Sequence, residues 1–340
     1  MPVTQSILST TLQLLRDKLV DNSYIAHPLL AALDAGGSII KVSGGARVEI
    51  PLVFGDHSSI SLLRNGFEPV SLAVKDPFHT ALYEYSNFVQ PIVLSQVEKV
   101  ANKGDLAVVN ILESKVKNTF LSLKKEVSRQ IIRGDSPVLT TLQTLNGMGT
   151  ATTAANTNGW FEAGAFGAQT NTVGGLSKGT FAAQNWQNQV FNSAGTLSLE
   201  HLDTLMIQAQ IYNPSGDRPG MLLMSPNMFA AFMALQQSAV RYVSTGDRDG
   251  LDRSFAGMWR GATIHVDPNL GFANAAGNTV SGYAITHDQM SLYADTEGYM
   301  TIGDMQDVPG TATSVASVFN RMQICTGHLA SHGVFLNAEA

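Results

Sequence analysis

The chain has 340 residues, enough for about two domains with a substantial core, and its net charge of −6 excludes nucleic-acid binding through bulk charge. Charged residues make up only 14% of it, against about 25% in ordinary soluble proteins, while apolar residues reach 44%. A monomer so thinly charged would be sparingly soluble, so much of the surface is expected to be covered by copies of the same chain in an obligate assembly.

The single cysteine, Cys325, excludes an intrachain disulfide and fits a reducing compartment. It lies in an apolar run and reads as a small buried hydrophobe rather than a nucleophile. The first basic residue is Arg16 and no cleavage-like segment follows, so no secretory leader is expected. Ser136 to Leu199 is nearly charge-free but rich in Gly, Asn, Thr and Gln, a composition that hydrocarbon would not accept, so no membrane span is expected.

Residues 1–37 read as an arm. Thr4 caps a helix with Leu8, Leu12, Leu15 and Leu19 on one stripe, and a shorter piece, Pro28–Leu33, ends before Gly36-Gly37. The arm either packs on its own domain or reaches a neighbour. Across residues 38–95 the period becomes two. Val48, Ile50, Leu52 and Phe54 alternate with Arg47, Glu49, Pro51 and Val53; Val70, Leu72 and Val74 alternate with Ser71, Ala73 and Lys75. Pro51 demotes the first run to an edge or a projecting ribbon, Asn65-Gly66 supplies a tight turn, and Leu82–Leu94 leads back as a third extended run. A hairpin of that length has little core of its own, so it is expected to pack on another subunit.

The strongest single element is the helix over Asp105–Arg133. Val109, Leu112, Val116, Phe120, Leu123, Val127 and Ile131 recur in steps of three and four on one face. Asp105 caps its start, Lys124, Lys125, Arg129 and Arg133 complement the dipole at its end, and Gly134 follows. At 1.5 Å per residue it would be roughly 43 Å long, a rod that braces something extended. Residues 96–145 group around it. From residue 146 to 194, above all Asn146–Gly179, the Gly, Ala, Thr and Asn content favours an irregular surface excursion, which Trp160, Phe161 and Phe166 could pin down.

Residues 195–310 read as an α+β domain. Ser198 caps a helix carrying Leu202, Leu205, Met206, Ala209 and Ile211; a buried strand, Met221–Met224, follows; Ser225-Pro226 opens a second helix. Strands are expected at Ala262–Val266, Tyr283–Thr286 and Met290–Tyr293, and 311–340 closes the chain with an extended apolar tail over Ser317–Leu336.

No catalytic constellation, cofactor motif or metal set emerges. Gly175-Leu176-Ser177-Lys178-Gly179 matches the nucleophile elbow but lacks the preceding strand, which leaves a hydrolase using Ser177 as a reading to be tested by Ser177→Ala. Asp247–Asp252 resembles a calcium-loop fragment whose glycine comes too early. His328 and His332 are four apart, yet their segment reads as extended. One charge feature stands out: between Glu113 and Arg133 six cations face two carboxylates, a net +4 in an acidic chain. Lys117, Lys125 and Arg129 on that face either meet solvent or balance packaged nucleic-acid phosphate without reading sequence.

The order of parts resembles a known family. Gln90-Pro91-Ile92-Val93-Leu94-Ser95, then Glu98, Asn102, Gly104 and the helix to Ile132-Arg133-Gly134-Asp135, is similar to the entry into the spine helix of tailed-bacteriophage major capsid proteins, the Hong Kong 97 fold. Ser225-Pro226-Asn227, Trp259 through Asn269, and Tyr283–Leu292 resemble that family's axial-domain segments. The resemblance implies an α+β fold with an N-terminal arm, an extended β-hairpin loop, a spine helix, and peripheral and axial domains. It implies a non-enzymatic subunit, without cofactor or metal, that self-assembles as hexamers and pentamers into an icosahedral head around double-stranded DNA, in the host cytoplasm and then the virion. Scaffolding, portal and, left open, decoration proteins are the partners implied. Because the arm begins at once, a separate scaffold or an already trimmed chain is implied. Arg64, Glu68, Lys75 and Asp76 on the hairpin become candidates for inter-subunit ion pairs. Some members weld their shells through a hairpin lysine; none lies between Gly55 and Phe67, so non-covalent locking is expected. An encapsulin-like nanocompartment is the alternative within the same fold.

Overall fold

The computed structural model describes residues 28–55, 66, 77–101, 111–133, 159–236, 258–274 and 277–339. Its elements in chain order begin with α1 (Pro28–Ala35), β1 (Ile39–Val42), β2 (Arg47–Val53), β3 (Phe78–Glu84), β4 (Ser86–Ser95), α2 (Gln96–Ala101) and α3 (Ile111–Arg133). The short pair β5 (Thr172–Val173) and β6 (Leu176–Ser177) follows, then β7 (Gln189–Asn192), α4 (Leu199–Ile211), β8 (Met221–Met224) and α5 (Pro226–Gln236). The remainder is β9 (Met258–Trp259), β10 (Ala262–Val266), β11 (Phe272–Ala273), β12 (Thr279–Ile285), β13 (Met290–Asp295), β14 (Thr301–Ile302), β15 (Gln306–Asp307), β16 (Thr313–Thr326) and β17 (Gly333–Leu336).

The described residues fall into two compact units. The first holds 88–101, 111–125 and 300–320. Here β14 and β15 pair antiparallel with the early part of β16, and the Gln96 amide donates to Ala312 O at 2.8 Å. Lys115 on α3 donates to Glu98 Oε2 at 2.7 Å and to Val93 O at 3.1 Å, tying β4 and α2 to the helix. That hydrogen bond holds the Glu98 carboxyl below its usual range.

The second unit holds the other described residues, and its core is a sheet in the order β7-β17-β12-β8-β10-β9. β8 and β10 are parallel, with α5 in the stretch between them, as a parallel neighbour requires a crossover. Leu222, Met224, Ile264, Ala284 and Phe335 turn to one face and pack with Leu202, Leu205 and Met206 of α4 and Met228 and Phe232 of α5. On the other side Tyr283 stacks on Phe161 at 4.6 Å and donates its hydroxyl to Ile132 O at 3.1 Å, at the end of α3. A sheet covered on both faces needs apolar side chains at every position, which is why β8 reads Met-Leu-Leu-Met without alternation. Gly282 fits where nothing larger can: a Cβ there would stand 2.6 Å from Leu223 O and 2.9 Å from Met228 Sδ.

The helix expected over Asp105–Arg133 is present from Ile111, residues 102–110 lying outside the described set; Leu123, Val127 and Ile131 bury the stripe. Ser198 caps α4 by accepting the His201 amide, and Ser225 Oγ accepts the Met228 amide at the start of α5. The Thr4 helix, the Val70–Val74 run and Asp247–Asp252 lie outside the described residues.

Three expectations are corrected. The strand that pairs with β2 is Phe78–Glu84, and the run Leu82–Leu94 is broken at Tyr85 into β3 and β4. Residues 159–194 are not a surface excursion, because Trp160, Phe161, Trp186 and Lys178 are all buried in them. The segment between His328 and His332 is a turn, and His332 is a core imidazole. It accepts the Thr286 amide at Nδ1, meets Thr326 Oγ1 at Nε2, and burial pushes its pKa down to about 3.

Candidate assembly surfaces

The β2–β3 ribbon has two unlike faces because opposite residues in an antiparallel pair share a side. Val48 with Tyr83, Ile50 with Ala81 and Leu52 with His79 turn inward. Outward turn Arg47 with Glu84, Glu49 with Leu82, Pro51 with Thr80, and Val53 with Phe78. Val53 is 66% and Phe78 69% exposed, so the ribbon carries an apolar pair at the end nearest residues 56–76. At the opposite end the Arg47–Glu49 ion pair, 3.0 Å long, is half in solvent and contributes little to stability.

The ribbon is fastened within the chain at both of its ends. Arg321 pairs with Asp295 at 2.9 Å, donates to Gly45 O, and lies 4.5 Å over the Tyr85 ring. On the other side the Leu82 amide donates to Gly174 O at 2.8 Å, and Phe54 packs against Phe181 and Trp186. Further exposed apolar residues mark the first unit: Val89, Val93, Val97, Ile302, Met305 and Val308.

Of the cations on α3, Lys115 is committed to Glu98, and Arg133 donates to Asn269 O at 2.7 Å with its guanidinium over Phe272. Lys117, Lys124 and Lys125 are exposed and Arg129 is half-buried. Arg64, Glu68, Lys75 and Asp76 lie outside the described residues. Ser177 ends β6 and is not followed directly by a helix, so the elbow geometry is not formed there. Cys325 is buried, and burial raises its thiol pKa, as an inert hydrophobe requires. Among the described residues no group of three or more His, Cys, Asp or Glu converges on a metal position. Composition and period could not single out Arg321 and Lys178, whose partners lie far away in sequence or in a stretch without regular pattern.

A two-faced ribbon, a long helix and a doubly covered mixed sheet are the parts of a Hong Kong 97-type capsid fold. The comparisons bear this out over nearly the whole chain. The capsid of a native GTA particle aligns with a TM-score of 0.62 at 10% identity, covering 99% of both chains. The capsid asymmetric unit of cyanophage A-1(L) aligns at 0.60 and 15% identity, covering 97% of each. The holo-SrpI encapsulin complex of Synechococcus elongatus PCC 7942 aligns at 0.60 and 11% identity, covering 99% of this chain and 95% of the other. No family model matches the sequence, and no curated protein does.

Proposed function

We propose that this chain is a shell-forming subunit, the major capsid protein of a tailed bacteriophage, assembling into an icosahedral head that encloses double-stranded DNA. The observation that carries the reading is the end-to-end match to phage capsid subunits, 97% of each chain for the cyanophage. The exposed apolar ribbon supports it, since a neighbour lying across Val53 and Phe78 would remove them from water. Contacts between unlike patches that close by curvature make such shells.

Within this reading, residues 38–95 lie over the next subunit, 96–145 and 311–340 form the peripheral domain, 195–310 surround the capsomer axes, and 1–37 is the arm. Arg64, Glu68, Lys75 and Asp76 set register between subunits rather than strength. Lys117, Lys125 and Arg129 face the lumen and balance phosphate charge. Scaffolding and portal proteins are the expected partners, and locking is non-covalent.

A second reading, an encapsulin-like compartment, is supported by the SrpI match at the same TM-score of 0.60 as the cyanophage capsid. Negative-stain microscopy of the purified chain tests the shell: closed particles of uniform diameter are expected, and a chain that stays monomeric at high concentration overturns it. The contents of native particles then separate the two readings. Nuclease-protected double-stranded DNA fits the capsid, and a protein cargo without DNA fits the compartment.

A further inference from the structure

Glu162 and Lys178 are the only charged residues between Ser136 and Leu199. Folding buries the lysine completely inside a shell of carbonyl oxygens: Trp160 O at 2.7 Å, Asn188 Oδ1 at 2.8 Å and Gln169 Oε1 at 3.2 Å. Three acceptors converge on the one amine. They come from three separate stretches, so one side chain gathers residues 160, 169 and 188 to a point. The amides around it are tied in turn, Gln169 Nε2 donating to Asn188 O at 2.8 Å and Gln187 Nε2 to Lys178 O at 3.0 Å.

From this knot two arms reach the hairpin. One is the β5–β6 turn, where Gly174 O accepts the Leu82 amide. Gly174 has φ +58°, and a Cβ there would stand 3.0 Å from Ala81 Cβ and 3.1 Å from Tyr83 Cζ, so the approach is as close as a backbone allows. The other arm is aromatic: Phe181 and Trp186 lie 4.9 Å and 5.6 Å from the Phe54 ring, and His79 lies 4.9 Å from Phe181.

We propose that residues 159–194 form a clasp that fixes the direction of the β2–β3 hairpin within the single chain, with Lys178 as the pin that holds its two arms together. The clasp works in the unassembled chain and does not depend on what the shell encloses. Lys178 is a positioning residue: it acts on the hairpin through Gly174 and the aromatic arm.

The pin carries a pH signature. Burial pushes the Lys178 amine down to about 7, the Glu162 carboxylate pulling weakly the other way. Glu162 is occupied by the Thr170 and Asn171 amides, and the titratable ring nearest the knot, His332 stacked on Trp160, is kept neutral by burial. Opening the clasp returns the amine to water, where its pKa is about 10.4, so opening takes up a proton between those values. Opening therefore becomes easier as pH falls toward about 7 and levels off below it.

Residue-resolved hydrogen exchange on the full-length unassembled chain tests this. The Leu82 amide reports the clasp, while the amides that β2 and β3 exchange with each other report the hairpin. Lys178→Met is expected to expose Leu82 by at least about tenfold with the β2–β3 ladder still protected. Gly174→Val, which leaves the pin and its acceptors intact, is expected to release the same amide. In the wild type, opening corrected for intrinsic exchange should rise roughly fiftyfold from about pH 9 to about pH 7, and should be flat in Lys178→Met. Leu82 still protected in both variants, a pH response unchanged by Lys178→Met, or loss of the ladder together with Leu82 would each overturn the clasp.

Discussion

Asp267, just after β10, is fully buried, with Oδ1 accepting the Asn269 amide and Oδ2 meeting no hydrogen-bond partner among the described residues. Burial pushes its carboxyl up to about 6 from 3.8, although the Asn269 hydrogen bonds and the Arg133 guanidinium pull the other way. A carboxyl raised on folding favours the protonated form, so its contribution is complete below about pH 4 and is lost as pH rises through about 6. Asp267→Asn is therefore expected to be more stable than the wild type by about 3 kcal/mol near neutral pH, with no difference below about pH 4; urea unfolding at both pH values checks this. At Lys125 and Arg129 the question is charge against shape. Reversing both to Glu should leave shell assembly intact and lower the DNA content of native particles, and undiminished packaging in normal shells would remove their lumenal role. The α3 cations were visible in sequence because helical period places them, whereas Lys178 was visible only inside a weak serine motif. Its meaning depends on Trp160, Gln169 and Asn188, whose convergence no period encodes.

Elements were legible where their ends carry local chemistry. Ser198 and Ser225-Pro226 mark helix starts because a hydroxyl satisfies an amide that the helix leaves open, and both do so here. Ser198→Ala should lower stability by about 1 kcal/mol, read as a lower melting temperature with the same fold. Strand partnership was not legible: alternation fixes which face of β2 is inward but not which strand lies opposite, so 78–84 could not be chosen over 70–74. Gly282 shows the same limit from the other side. Nothing local in β12 demands glycine, yet the approach of β8 and α5 does, and Gly282→Ala should cost about 1–3 kcal/mol by forcing Met228 and the β8 backbone apart. A chemical-denaturation midpoint equal to the wild type's would mean that the helix can give way without loss.

At the scale of the molecule, the scarcity of charge and the ribbon's outer face express one property. Composition announced surface that water alone would not satisfy, but it could not say where that surface lies; the β2–β3 register does, by putting Val53 and Phe78 side by side and about two-thirds exposed. The inward neighbour Leu52 serves the fold, so replacing the outward Val53 should cost the single chain less than about 0.5 kcal/mol. In a shell each subunit repeats the contact, and losing about 1.5–3 kcal/mol per apolar side chain at every copy would move the assembly threshold by orders of magnitude in concentration. Val53→Asp is thus expected to keep the circular dichroism and melting temperature of the unassembled chain while abolishing particles in sedimentation velocity. Particles forming at wild-type concentration would place the subunit contacts elsewhere on the chain, and a fall in melting temperature matching the loss of particles would make Val53 part of the fold rather than of the shell.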